Sequence, residues 1–94
     1  MFSQKYVPLG YQQLTSLSSA TGLTVPDGAD FAIFDVETAS VRFRDDGTAP
    51  TASVGFILTN SSAPFPYSGT LSAVKFIAVS GSPVVNVLYY KAVG

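Results

Sequence analysis

The sequence predicts an all-β chain, a small antiparallel β-sandwich or jelly-roll-like barrel of six to eight strands with an extended N-terminal arm. Three observations carry this expectation. Helical periodicity is nearly absent, and β-branched and aromatic residues gather in short runs. Turn-forming Gly, Pro, Asn, Ser and Asp separate those runs about every eight to fifteen residues, the rhythm of antiparallel sheets rather than of βαβ units.

Residues 1–10 fit a sheet poorly because Pro8 and Gly10 interrupt them. They are expected to form an arm, anchored by Phe2 and Tyr6, that adds to a neighbouring subunit; an edge strand or a frayed terminus is the alternative. The sandwich domain then covers residues 11–94. Its first strand, YQQLTSL at 11–17, is weak, and Pro26, Asp27 and Gly28 supply the next turn. FAIFDVE at 31–37 is a strong strand with Ala32, Phe34 and Val36 on one face, while Asp35 and Glu37 emerge on the other. In SVRFR at 40–44, Val41 and Phe43 point inward and Arg42 and Arg44 outward.

TASVGFIL at 51–58 places Val54, Phe56 and Leu58 on one face, and 59–69 reads as a loop. SAVKFIAV at 72–79 alternates Val74, Phe76 and Ala78 with Lys75, Ile77 and Val79, and VVNVLYYK at 84–91 closes the domain. A chain of 94 residues has room for one core only.

Charge narrows the function. Charged residues make up 12% of the chain, about half the usual share, so some apolar surface is expected to be covered by copies of the chain or by a partner. Five basic and six acidic residues, with no basic run, leave no footprint for nucleic acid. No apolar run is long enough for a membrane span or a signal peptide, so the chain is expected to be soluble when made. Without cysteine or histidine it lacks thiolate chemistry, most transition-metal ligands and the usual general base, and no cofactor is expected.

Four of the eleven charged residues, Arg42, Arg44, Asp45 and Asp46, lie within five positions and are followed by Gly47. Asp-Gly between alternating apolar runs is a hairpin signal, because glycine tolerates the positive φ of a tight turn. The hairpin loop is expected over 45–50. As an acid–base pair the two aspartates would need separated pKa values, which adjacent residues sharing one exposed turn do not have. DDGTAPT also carries too few oxygen ligands for a calcium loop. Lys75 is expected to face solvent, and no serine has an activating partner. The chain is therefore not expected to be an enzyme.

In the loop, Pro64, Phe65, Pro66 and Tyr67 place two aromatics in a stiffened segment. Phe65 and Tyr67 are candidate partner contacts, as are Phe2 and Tyr6; alternatively Phe65 and Tyr67 fold back to plug the end of the sandwich.

LTVPDGADFAIFDVETASVRFRDDGTAPTASVGFIL and SAVKFIAVSGSPVVNVLYYK carry a resemblance over residues 23–91. A VP-G-A turn, an R-RDDG-PTA--G hairpin, an L--VKFI strand and a final NV-YY strand follow in the order seen in small structural proteins of tailed bacteriophages. Residues 42–55 are the most distinctive part, and 59–69 has no counterpart. The resemblance implies a structural virion protein, a capsid decoration or cement protein made in the host cytoplasm and carried on the capsid surface. It further implies the major capsid protein or other virion proteins as partners and a homo-oligomer, a trimer at a local three-fold being favoured. A head–tail or tail/fibre component, or a carbohydrate- or receptor-binding sandwich using its tyrosines, are the alternatives. The family supplies no catalytic residues.

Overall fold

Alternation along each strand decides what is buried. In β3 (Phe31–Glu37) Ala32, Phe34 and Val36 are buried, whereas Asp35 and Glu37 are exposed. In β4 (Val41–Arg44) Val41 and Phe43 are buried and the two arginines are half-buried on the outside. The computed structural model describes residues 5–93. Its remaining strands are β1 (Lys5–Leu14), β2 (Thr21–Gly22), β5 (Phe56–Leu58), β6 (Phe65–Tyr67), β7 (Lys75–Ala78) and β8 (Val84–Val93), with a 3-10 turn at Leu71–Ala73.

The strands form two four-stranded antiparallel sheets, ordered β1-β8-β3-β6 and β2-β7-β4-β5. Each strand of the first half pairs with its mirror in the second: β1 with β8, β2 with β7, β3 with β6 and β4 with β5. The chain is thus one long hairpin, bent back at the turn between β4 and β5 and rolled so that successive pairs fall in alternate sheets. That is the strand order of a jelly roll. The DDG turn is the tip of this whole hairpin, and Gly47 takes φ 89° there.

Inward side chains of the two sheets meet in one aromatic and aliphatic core. Phe34 of the first sheet lies edge-on to Phe76 (ring centroids 5.1 Å apart) and to Phe43 (6.0 Å) of the second. Val85, Val87 and Tyr89 of β8 fill the layer beside them. Each such side chain stabilises the fold by about 1.5–3 kcal/mol relative to leaving it in water.

Four local expectations change. Residues 5–10 are not an arm: they extend β1 against β8, with Lys5 opposite Val93 and Pro8 opposite Tyr90, and a bulge between Pro8 and Gly10 absorbs the irregular sequence. Phe2 lies outside the described residues. The first strand ends at Leu14, and Leu17 turns inward, its carbonyl accepting from Ala78 N at 2.8 Å. The return strand after the tip starts at Phe56, because Thr51–Val54 closes a further small turn. The 59–69 loop contains β6, held as an edge strand by Ala32–Phe34 of β3.

Candidate functional site

Two edge strands, β6 of the first sheet and β5 of the second, run out side by side at the open seam of the sandwich near the hairpin tip. Between them lies a groove of about 410 Å³ lined by Phe43, Phe56, Phe65 and Tyr67, with Val54 on one wall and Arg44, Asp45 and Asp46 on the other.

Its aromatic floor is continuous with the core. Phe43 contacts Phe56 at 5.4 Å and Phe65 at 5.9 Å, and Phe56 reaches Phe65 across the seam at 5.8 Å. Phe56 is opposite Phe43 and so points to the core side as its sequence phase requires, yet it is 57% exposed. The reason is geometric: β6 is only three residues long, and of the first sheet's aromatic rings only Phe65, at its end, reaches Phe56. An aromatic ring is left in water where a longer strand would have covered it.

The polar wall is held by specific bonds. Arg44 grips Asp46 with two guanidinium nitrogens, Nε to Oδ1 at 3.0 Å and Nη2 to Oδ2 at 2.5 Å. Hydrogen bonding from Arg44 holds the Asp46 carboxyl below the usual carboxylate range, helped by the Thr48 amide. The Tyr67 hydroxyl donates to Asp45 Oδ2 at 2.5 Å. Burial pushes the Tyr67 phenol up to about 12, with the neighbouring Asp45 carboxylate adding to it. Arg42, on the outer face of β4, donates to the carbonyls of Ala52 and Gly55 at 3.2 and 2.8 Å and so fixes the loop that carries Val54.

Of the candidate contacts, Phe65 lines the groove and is half-buried. Tyr67 takes the position given as the alternative, folded back as a plug: it is 9% exposed and stacks on Phe34 at 5.4 Å, with part of its ring still lining the groove. Tyr6 is not with them. It lies on β1, at the far edge of the same sheet, on the outer face against Phe31 at 4.7 Å. Sequence phase places Phe56 and Val54 in the core; Val54 is exposed because it lies in the Thr51–Val54 turn before the strand begins, and Phe56 because the opposite sheet stops short, which no local pattern reports. Among the described residues no group of three or more Asp, Glu, His or Cys side chains is placed to hold a metal ion.

The arrangement is suited to binding. It offers a rigid aromatic floor, already dehydrated on one side, beside carboxylates and a guanidinium fixed in place before a partner arrives. Comparison with known protein families, curated proteins and solved structures gave no significant match to this chain.

Proposed function

We propose that this chain is a structural virion protein of a tailed bacteriophage, a decoration or cement protein of the capsid surface that binds the major capsid protein, self-associates and carries out no catalysis. The observation that carries the reading is the exposed Phe56 beside the half-buried Phe65 in a preformed groove at the tip of the roll. Rigid aromatics in a partly desolvated pocket are the usual energetic centres of protein interfaces. The sequence resemblance is strongest over residues 42–55, the hairpin that supplies the polar wall of this groove. The jelly roll adds an analogy of fold, since capsid proteins use it often; so do lectins.

Binding to particles that lack the protein tests the reading. Phe56→Ala is expected to weaken binding at least about tenfold, as loss of an interface centre worth about 1.4 kcal/mol or more does. Failure of the intact protein to bind any such particle overturns the reading.

A second reading draws on the same groove. Phe56 flanked by Asp45, Asp46 and Arg44 is also a chemistry that holds a sugar ring, apolar face on the aromatic and hydroxyls on the carboxylates. Glycan-array signal that Phe56→Ala abolishes, without particle binding, would favour this carbohydrate-binding module.

A further inference from the structure

We infer that the outer face of the β1-β8-β3-β6 sheet is the interface of a two-fold homodimer, which gives the self-association proposed above a specific surface. The two outer faces of the sandwich differ in kind. That of the β2-β7-β4-β5 sheet carries Arg42, Arg44 and Lys75, three of the chain's five basic residues. The other presents Tyr6, Tyr11, Phe31, Ile33, Leu88 and Tyr90 over most of its length and gathers its polar groups, Gln13, Asn86, Asp35 and Glu37, at one end. Tyr11 and Leu88 are directly opposite each other, followed by Ile33 on β3, and they are 59% and 44% exposed. Tyr6, Phe31 and Tyr90 form one ring cluster, with centroids 4.7 to 6.4 Å apart.

A second copy fits this face better than a chain added at its edge. The Tyr90 carbonyl accepts from Asp30 N on the β3 side, so Pro8, opposite Tyr90, turns its backbone to the free edge of β1. Proline has no N–H to offer there, and the bulge that follows bends the edge further. Both features interrupt strand addition. The face itself is large enough. Strands of ten, ten, seven and three residues, at about 3.3 Å each and about 4.8 Å apart, outline roughly 500 Å² per copy. Two copies then bury on the order of 1,000 Å², where specific interfaces begin.

Charge sets the orientation. One end of the face carries Asp35 and Glu37, both exposed, whereas Lys5 and Lys91 at the other end share the opposite side of the sheet with Val87 and Tyr89, the Lys91 stem lying beside Gly28. A two-fold axis running along the strands would bring Asp35 and Glu37 against their own copies. An axis across the strands carries them away from their copies, to the end that holds the Tyr6, Phe31 and Tyr90 rings. The pairing is therefore antiparallel end to end, and a face that meets itself closes at two copies. A trimer, as expected from the resemblance, would need two different complementary surfaces.

Sedimentation equilibrium of the full chain across a micromolar concentration series tests the inference. The expected species is twice the 9.8 kDa chain mass. Leu88→Asp is expected to weaken the dimer at least about 100-fold, equivalent to about 2.7 kcal/mol, with the far-ultraviolet spectrum of the folded chain retained. If that variant does not fold, Tyr11→Glu, more exposed and at the sheet edge, serves in its place. Phe56→Asp, in the groove, is expected to leave the dimer intact. A monomeric or trimeric wild type, or a dimer insensitive to the folded face variant, overturns the inference. Particle binding is read separately, so a chain that dimerises without binding capsids rejects the virion reading and keeps this one.

Discussion

The Tyr67 hydroxyl donates to Asp45 Oδ2 at 2.5 Å, and this bond ties β6 of one sheet to the turn that leaves β4 of the other. It crosses the seam where the sandwich would otherwise open beside the groove. A hydrogen bond to a charged acceptor contributes about 1.5–3 kcal/mol. Tyr67→Phe and Asp45→Ala are each expected to cost about 1–2 kcal/mol in urea unfolding. The double variant should cost clearly less than their sum, because both remove the same bond. Additive losses would show that the two side chains act independently.

What was legible in advance was what strand alternation alone can report. Phe34, Val41 and Phe43 are inward and Arg42, Arg44 and Lys75 outward as their phase requires, and the DDG turn is a hairpin tip. The bond between Tyr67 and Asp45 was not legible, since its partners are 22 positions apart and meet only after the roll closes. Nor was β6: Phe-Pro-Tyr has no run of alternation, and its proline fits only because the strand lies at a sheet edge. The same closure explains Phe56, whose phase is right and whose cover, Phe65 alone among the first sheet's rings, is partial.

Gly69 gives a test of packing at the same seam. A Cβ built on it would strike the Tyr67 Oη and lie 2.6 Å from Cζ and 3.2 Å from Cε1. Gly69→Ala therefore has to push the ring off Phe34, and overpacking of this kind costs about 1–3 kcal/mol. In a Tyr67→Leu background the obstructing phenol is gone, and the added cost of the alanine is expected to fall below about 0.5 kcal/mol. Denaturant unfolding of the four combinations decides it; an equal alanine cost in both backgrounds contradicts the contact.

Thr38, between β3 and β4, holds φ 78°, and Ala39 N donates to the Glu37 carbonyl at 2.9 Å. That is a γ-turn of the rare, strained hand, occupied by a β-branched residue. Such a conformation costs about 1–3 kcal/mol, which glycine relieves while giving back about 0.5–1 kcal/mol in chain entropy. Thr38 is exposed, so its side chain has little packing to lose. Thr38→Gly is expected to stabilise the fold by about 0.5–1 kcal/mol, a rise of roughly 3–6 °C in the melting midpoint for a domain of this size. A lower midpoint would mean that the turn is not strained in solution.

Alkaline pH tests the two buried phenols together. Burial pushes Tyr89 up to about 12, and its hydroxyl donates to Gln12 Oε1 at 2.7 Å; Tyr67 is raised to about 12 as well. Both folded-state values lie above the unfolded value near 10. The stabilisation they represent is fully present below about pH 10 and is lost as pH rises through about 12, since the unfolded chain releases these protons first. At about 1.4 kcal/mol per pH unit, each tyrosine accounts for roughly 2–3 kcal/mol by pH 12. Urea midpoints are expected to fall steeply over this window. Tyr89→Phe should flatten the slope, while Gln12 stays held by the Thr24 amide at 2.9 Å. A stability profile that is level from pH 10 to 12, or unchanged in slope by Tyr89→Phe, would contradict the protonated, buried hydroxyl at the heart of the first sheet.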